Sequence, residues 1–388
     1  GDPDVPDPDP ENPGIEPPPP PAEPPPAPPP SPPPPEPPVP DNPAPLPTPD
    51  RQPPTPGARP STDEVIPLYR LESAVYAVVT PLLQQMSLAS LGTFHERQGE
   101  QALLQRDGSF RTAWGRVLGQ NTRQDWRGTV APTFDGSLTG VQTGVDVHAW
   151  ENTPGDARHH AGLFLGRTRA DGDIRGFALG WYNLTVGKNR VDEDHLGLYW
   201  SRIDEHGGYM DAVLMASRFD GRARSSRGLG VDLDGSGLSA SLEVGRPVRW
   251  REGSRWSLEP QAQLIWQRSD LDDQDDGFAR IAFDIGSAFT GRVGLRLAAD
   301  FPSSSGLWQP YLKLDYWHGF GGRDVVRMDR DELVTLKGYN AIEFGGGVVA
   351  KFNDRLSLYL TADYTADTGD AGRDRQTVEG NLGLRVSW

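Results

Sequence analysis

The sequence lacks three features that would each point to a class of protein. None of its 388 residues is cysteine, which excludes disulfide bonds and thiolate metal sites. It has 38 basic residues against 54 acidic ones, so a surface for nucleic acid is not expected. No window of about 18 residues is continuously apolar, which predicts that no helix spans a membrane. The nearest candidate, residues 73–91, contains Pro81, Gln84 and Gln85.

Motifs that carry chemistry are also missing. The seven histidines form no His-Glu-x-x-His pair, and there is no Gly-x-Ser-x-Gly or phosphate-binding loop. The acidic run at 270–277 resembles a calcium loop, but counting from Asp272 places Phe283 where the bidentate glutamate should stand. We therefore expect no enzymatic activity, no cofactor and no bound metal.

The first 60 residues differ in composition from the rest of the chain. They hold 31 of the 39 prolines, and ten acidic residues against two arginines, so about half of the net charge of −16 lies there. Such Pro-rich runs offer neither the apolar side chains nor the backbone donors of a core, and they favour an extended polyproline II form. Residues 1–60 are therefore predicted to be a disordered linker. The opening stretch shows no signal peptide, and we expect the chain to be the C-terminal piece of a longer protein.

From about residue 110 onward, Gly-rich and aromatic-rich segments alternate with short and long connections. Five short connections recur, at 151–158, 204–207, 251–254, 301–306 and 352–355. Long polar stretches lie between them, among them 269–287 and 321–335. Short turns at one end of a sheet and long loops at the other are typical of a membrane β-barrel, with the short turns in the periplasm.

The number of short turns predicts the number of strands. Five short turns imply five hairpins plus a first and a last strand, and therefore twelve strands. A further strand-like run, residues 174–186, is assigned to a long extracellular segment between two barrel strands. A hairpin that extends beyond the membrane is one form that this segment can take. The predicted fold is an all-β, 12-stranded antiparallel transmembrane β-barrel over residues 109–388.

The strand segments alternate between apolar and polar residues, so each strand has one apolar face and one polar face. A soluble lipocalin-like barrel or a β-sandwich would show the same alternation with the apolar face inward. Twelve long strands, eleven tryptophans mostly near segment ends and charges on the second face favour lipid outside and water inside. The charged residues predicted to face the lumen are Glu243, Glu259, Arg292, Arg296, Glu343 and Arg385.

Residues 61–108 are predicted to contain a linker and an α-helix that precedes the first strand. A polar lumen would leak unless it were filled, and a helix with polar side chains can fill it. The helix residues expected to pair with lumen charges are Gln84, Gln85, Glu96, Arg97 and Glu100. The alternative is a helix at the periplasmic or outer surface.

The chain ends on an alternating segment rather than on a polar tail. Leu382, Leu384, Val386 and Trp388 share one face at a period of two. A last strand that pairs with the first strand would close the barrel and remove both exposed edges.

Several segments, in order, resemble the C-terminal translocator domain of monomeric, pertactin-like autotransporters. The resemblance covers residues 69–388, and a Pro-rich tract before the domain is a further similarity. The segments include LGTFHERQGE (91–100), AWGRVLGQ (113–120), HLGLYWSRIDEHGGYMDAVL (195–214), QPYLKLDYWHGF (309–320) and GNLGLRVSW (380–388).

The resemblance implies a bacterial outer-membrane barrel whose lumen is threaded by a helix that leads to a secreted N-terminal passenger at the cell surface, as in type V secretion. It also implies that Leu384, Val386 and Trp388 are similar to the terminal signal that the barrel-assembly machinery reads. The expected partners are outer-membrane lipid and lipopolysaccharide, that machinery and the chain's own passenger, and the barrel is expected to be a monomer.

The function of the barrel and the fate of the passenger stay open at this point. A stand-alone outer-membrane barrel that acts as a porin or adhesin is the second functional hypothesis. Some autotransporter subfamilies release the passenger by cyclisation of a helix asparagine, and that route is not expected here because no asparagine occurs between residues 61 and 120.

Overall fold

The computed structural model describes residues 67–99, 111–151, 153, 156–249, 251, 253–304, 306–369 and 375–388. The predicted Pro-rich linker and Glu100 lie outside the described residues. Three helices come first: α1 (Leu71–Ala77), α2 (Val79–Leu91) and α3 (Phe94–Gln98).

Pro81 shapes the helical segment without ending it. It stands in the first turn of α2, where a helix tolerates proline. Because proline has no N–H, the Ala77 carbonyl oxygen loses its partner four residues on, and Thr335 Oγ1 donates to that oxygen instead at 3.2 Å. Only Val78 separates α1 from α2, so residues 71–91 form one nearly continuous helix.

The sequence-based exclusion of a spanning helix was too strict. By length and composition alone, residues 71–91 could cross a membrane. Most of this helix is buried inside the protein, so its apolar side chains contact the barrel wall rather than lipid. Burial therefore decides the role of the segment, and burial is a property of the tertiary structure.

Seventeen strands follow among the described residues. They are β1 (Thr112–Asp125), β2 (Thr133–Glu151), β3 (Arg158–Ala178), β4 (Trp181–Ile203), β5 (Tyr209–Ser225), β6 (Gly230–Gly245), β7 (Trp256–Leu271), β8 (Gln274–Asp275), β9 (Arg280–Asp284), β10 (Ala288–Ala299), β11 (Phe301–Ser303), β12 (Gly306–Gly319), β13 (Arg323–Met328), β14 (Asp331–Leu336), β15 (Tyr339–Lys351), β16 (Leu356–Asp367) and β17 (Arg375–Ser387).

Twelve of these strands form one closed antiparallel barrel, which confirms the predicted fold. The barrel strands are β1–β7, β10, β12 and β15–β17, and successive members pair along the wall. The last strand, β17, pairs with β1 over its whole length, from Thr112 opposite Ser387 to Gln124 opposite Arg375. The end of the chain therefore closes the barrel and leaves it without an exposed edge.

The two ends of the barrel differ as the sequence indicates. The five short connections lie at one end, here called the periplasmic end, and the opposite end is called the outer end. The run 174–186 forms the tip of the β3–β4 hairpin around the turn Leu179–Gly180, so it lengthens two barrel strands and adds no thirteenth one.

The two long polar stretches are not the open loops that their composition suggests. They contain β8, β9, β13 and β14, which form a second, four-stranded antiparallel sheet at the outer end. These strands are short and rich in acidic residues, and the sequence analysis therefore overlooked them. Their buried apolar residues pack in one core with α1: Ile281, Phe283, Val326, Met328 and Leu333.

The barrel is apolar outside and largely polar inside. Val141, Leu196 and Leu264 have about half of their surface exposed on the outer face, where membrane lipid covers them. Arg116 and Gln142 point inward and are each 2% exposed.

The apolar outer face ends at one level on three neighbouring strands. Arg167 on β3 is paired with Asp194 on β4, which is paired in turn with Arg218 on β5. The next three outward positions on each strand are all charged. On β5 the apolar outward positions lie within residues 210–216, about 20 Å along the strand.

Candidate functional site in the barrel lumen

The lumen is occupied by the three helices. At 1.5 Å per residue, residues 71–91 span about 31 Å of the lumen. α1 lies at the outer end, where Asn189 Nδ2 donates to the Val75 carbonyl at 3.0 Å. α3 lies at the periplasmic end, where Phe94 stacks on Tyr209. The chain that precedes Leu71 therefore leaves the barrel at the outer end.

The outer half of the lumen is an apolar core rather than a polar channel. Val75, Val78 and Leu82 of the helices are completely buried there. The sequence analysis considered only polar contacts between the helix and the lumen, and it did not anticipate this apolar core. The wall contributes inward apolar residues that the sequence analysis did not single out: Val130, Phe134, Leu138, Ile174, Val186, Val191, Phe219 and Val231.

Asp276 joins the second sheet to the outer end of the helices. Its Oδ2 accepts from Arg70 Nη2 at 2.7 Å and from the Tyr76 hydroxyl at 2.9 Å. Its Oδ1 accepts from the backbone N–H groups of Phe278 and Ala279, both at 2.9 Å. Burial raises the pKa of Asp276, but these hydrogen bonds outweigh burial and hold its pKa below the usual range.

Glu193 is the main polar contact in the middle of the lumen. It is completely buried on β4, and it accepts from Ser87 of α2 at 2.7 Å and from Ser90 of α2 at 2.6 Å. Ser217 of β5 donates to it at 2.7 Å. The serine spacing places both hydroxyls on one face of the helix, so a single wall carboxylate fixes the rotation of α2.

The C-terminal end of α2 is capped by the wall. The last carbonyl groups of a helix have no partner within it. Arg116 Nη2 donates to the Ala89 carbonyl at 3.1 Å and to the Ser90 carbonyl at 2.8 Å. Gln142 Nε2 also donates to the Ser90 carbonyl, at 2.9 Å. A cation at this end of the helix also complements the helix dipole.

α3 is capped by its own residues and by a wall carboxylate. Thr93 and Glu96 form a capping box, in which the Thr93 N–H donates to Glu96 Oε2 at 3.0 Å. Glu243 Oε2 accepts from the Phe94 N–H at 2.9 Å. Glu243 also pairs with Arg292 at 2.9 Å, so the helix terminus is tied to a buried ion pair.

Lys313 lies at the centre of a carboxylate cluster at the periplasmic end. Its Nζ is 2.9 Å from Glu96 Oε1, 2.9 Å from Glu343 Oε1 and 3.2 Å from Asp363 Oδ2. Among the described residues, these three carboxylates are close enough together to hold a metal ion. The lysine ammonium group contacts all three, so it supplies the positive charge that such a cluster requires.

All six predicted lumen charges lie on the inner face, and five contact a helix or another predicted residue. Glu259 Oε1 is 2.7 Å from His95 Nε2 of α3. Arg385 Nη1 donates to the Gln98 carbonyl at 3.2 Å. Arg296 donates to Gln309 at 3.0 Å and lies 3.9 Å from Glu259. The contacts of Glu243, Arg292 and Glu343 are those given above.

The predicted helix residues differ in their contacts. Gln85 Nε2 lies 3.5 Å from Gln120 Oε1, and Arg97 forms a buried ion pair with Asp211. Glu96 belongs to the Lys313 cluster. For Gln84, the wall contact involves the backbone, since Gln267 Nε2 donates to its carbonyl at 3.0 Å. Glu100 lies outside the described residues.

The predicted assembly residues lie on the opposite surface. Leu384, Val386 and Trp388 face outward and are 44%, 38% and 55% exposed. The Trp388 N–H donates to the Arg111 carbonyl at 3.0 Å, next to the first strand.

Several lumen contacts were missed because the sequence analysis read only some strands. Lys313 alternates with Leu312 and Leu314, and the same alternation would have placed it inside. Other missed lumen residues with direct helix or cluster contacts include Arg116, Gln142, Asn189, Glu193, Asp211 and Asp363.

An apolar outer face, a closed barrel and a lumen filled by the chain's own N-terminal helices define an outer-membrane β-barrel domain that is plugged from within. The Autotransporter beta-domain family matches residues 113–363. The chain belongs to the autotransporter β-domain family.

Relatives extend the match to most of the chain. The chain is 32% identical over 326 residues to the pertactin autotransporter of Bordetella bronchiseptica, covering 81% of this chain and 33% of the relative. It is 28% identical over 290 residues to the BrkA autotransporter of Bordetella pertussis, covering 73% of this chain and 27% of the relative. The chain thus spans about a third or less of the length of these relatives.

Solved structures show the same fold. The β domain of the Bordetella autotransporter BrkA matches with a TM-score of 0.56 at 24% identity, covering 73% of this chain and 100% of that one. The transport unit of the autotransporter AIDA-I from Escherichia coli matches with a TM-score of 0.63 at 20% identity, covering 82% and 100%.

Proposed function

We propose that this chain is the translocator and membrane anchor of an autotransporter, and that it carries an N-terminal passenger to the cell surface by type V secretion. The observation that carries the proposal is the direction of the lumen helix. Its N-terminus is at the outer end and its C-terminus is at the periplasmic end, beside the first strand. Any chain that precedes residue 67 is therefore directed outward.

The contacts of the helices support a second part of the proposal, that the helix remains in the lumen as a plug. Glu193, Arg116 and the Lys313 cluster bind it at successive levels, and the apolar core closes the outer half. A filled lumen prevents leakage of small molecules. The porin alternative has no comparable support, since it requires an open lumen.

The proposed domain arrangement has three parts. Residues 1–60 act as a Pro-rich linker, 61–108 contain the linker and pore helix, and 109–388 form the barrel. The barrel works as a monomer without a catalytic role. Its proposed partners are outer-membrane lipid and lipopolysaccharide on the apolar and charged outer faces, the barrel-assembly machinery at Leu384, Val386 and Trp388, and the passenger.

The plug is tested by single-channel conductance in planar bilayers. Removal of residues 1–106, with the first strand kept, should raise the conductance several-fold, because the pore then holds water and mobile ions. The matched control removes residues 1–66 only, which keeps all three helices, and its conductance should equal that of the full chain. Equal conductance of both truncations would mean that the helix does not fill the pore, and the proposal would lose its main support.

A further inference from the structure

The outer end carries an exposed apolar surface that lies outside the lumen and takes no part in the contacts between the helices and the wall. The exit patch consists of residues from the emerging chain and from the tip of the β3–β4 hairpin: Leu68, Tyr69, Leu179, Trp181 and Tyr182. Phe177, which is only 5% exposed, packs against Tyr69 and Tyr182 and supports the patch from within. Leu68 is 75% exposed, Leu179 47%, Trp181 44% and Tyr182 58%. Contiguous apolar surface on a polar exterior marks an interaction site.

The exit patch is an ordered arrangement rather than a set of scattered side chains. The Leu179 N–H donates to the Tyr69 carbonyl at 2.9 Å, which joins the hairpin tip to the emerging chain. The Phe177 ring lies 6.1 Å from the Tyr69 ring and 4.5 Å from the Tyr182 ring. Three aromatic rings are therefore held together at the point where the chain leaves the barrel.

The turn at the tip is unusual in sequence. Leu179 and Gly180 have φ angles of 52° and 81°, as in a two-residue hairpin turn that normally carries Asn-Gly. A leucine is strained at positive φ because of its Cβ atom. Its side chain is also about half exposed to solvent, and burial of that side chain against a partner would offset both costs.

Membrane lipid is not that partner. Asp194 stands at the edge of the apolar band, and Trp181 lies thirteen residues further along β4. At about 3.3 Å per residue this is roughly 43 Å of strand. The exit patch is therefore well above the lipid, at the outermost part of the barrel.

We infer that the exit patch binds residues 47–66 of the same chain, PTPDRQPPTPGARPSTDEVI. This segment contains six prolines and leads directly into Pro67 and Leu68. Aromatic surfaces bind Pro-rich segments because the polyproline II form is already extended and loses little conformational entropy on binding.

The connection between segment and patch favours this occupant over a separate molecule. A tethered segment has a high effective concentration, so weak contacts suffice to keep it bound. Twenty residues at about 3.1 Å each reach about 60 Å, enough to fold back from Leu68 across Tyr182. This binding does not depend on translocation, and it would fix the direction in which the preceding chain leaves the barrel.

Photo-cross-linking tests which partner covers the patch. p-Benzoylphenylalanine replaces Trp181 in the 388-residue chain, held at low concentration in detergent micelles. Mass spectrometry should find intramolecular cross-links to residues 47–66. The matched control places the probe at Phe320, a 46% exposed aromatic residue in the connection that follows β12, on the opposite wall. It should give no cross-link to that segment.

Proteolysis gives an independent measure. Arg51 precedes glutamine and is a trypsin site, whereas Arg59 precedes proline and resists trypsin. The double variant Trp181→Ser, Tyr182→Ser should be cut at Arg51 at least about fivefold faster than the unaltered chain, the factor that corresponds to about 1 kcal/mol. Phe320→Ser should be cut at the unaltered rate.

Two results would overturn the inference. One is an equal cleavage rate at Arg51 in the unaltered chain and the double variant, with heat-modifiable gel mobility showing that both are folded. The other is cross-linking from position 181 to a second copy of the chain, seen as a dimer on denaturing gels, which would assign the patch to self-association. Neither result affects the conductance test of the plug.

Discussion

Lys313 of β12 and Glu96 of α3 form an ion pair, with Nζ 2.9 Å from Oε1, although 217 residues separate them in the chain. Lys313 is also the shared cation of Glu343 and Asp363. This contact joins the helix segment to the far side of the barrel, and it accounts for three carboxylates in one small volume.

Lys313→Met should therefore loosen the periplasmic end of the plug. Removal of the cation leaves three carboxylates close together without compensation, and loss of one partner in a buried ion pair costs about 3 kcal/mol. We expect a lower thermal midpoint and faster hydrogen exchange in α3. Lys188→Met is the control, since Lys188 is 73% exposed and pairs with Asp173, which is also exposed. Equal midpoints for the two variants would show that the cluster does not hold the helix.

Asp276→Asn should weaken the outer attachment of α1. The substitution keeps the size of the side chain but removes the charge that Arg70 and Tyr76 contact, so hydrogen exchange in α1 should be faster at neutral pH. Asp272→Asn, at an exposed neighbouring position, is the control. If both variants exchange at the rate of the unaltered chain, Asp276 does not hold the outer end of α1.

The same contact predicts a pH dependence. The folded pKa of Asp276 lies below its unfolded value of about 3.9, so its stabilisation is complete above that value and is lost as the pH falls through the folded pKa. The protection of α1, which is the exchange rate corrected for the intrinsic rate at each pH, should therefore be unaffected by Asp276 protonation between pH 7 and 5, and should fall only in more acidic buffer. A loss of protection already near pH 6 would point to another group.

The topology can be tested with single cysteines, because the chain has none of its own. Asp275 lies in the second sheet at the outer end, and Ser304 lies in a short connection at the periplasmic end. A membrane-impermeant thiol reagent on intact cells should label Asp275→Cys but not Ser304→Cys. The reverse pattern would invert the barrel and contradict outward passenger delivery.

Trp388→Ala should reduce the amount of barrel that reaches the outer membrane. Its side chain lies on the outer face and fills no core, so its loss should affect assembly more than the stability of the finished barrel. Trp308→Ala is the control, since Trp308 is also exposed, at 40%, on the outer face of the periplasmic end. Equal surface levels of the two variants would argue against a terminal signal.

The five short connections predicted the twelve strands, and the contrast between short and long connections predicted which end is which. The prediction that Glu243, Arg292 and Arg385 face the lumen followed from alternation at a period of two. The composition of residues 269–287 and 321–335 concealed the second sheet, because its strands are short and draw their apolar contacts from α1. Contacts within the lumen join residues more than a hundred positions apart in the chain, such as Phe94 and Glu243. A local sequence pattern relates only neighbouring residues, so it could not predict these contacts.

The sequence by itself determined the architecture of the barrel, since the periodicity of each strand and the spacing of the turns depend only on neighbouring residues. It also determined that a helix could form before the first strand. Only the tertiary structure decided what that helix touches. The helix contains apolar residues that would suit a membrane, a soluble core or a barrel lumen equally well, because hydrophobic burial is not directional. The helix lies in the lumen because the barrel wall closes around it. Glu193, Arg116 and Lys313 of the wall bind the helical segment at three positions along its length.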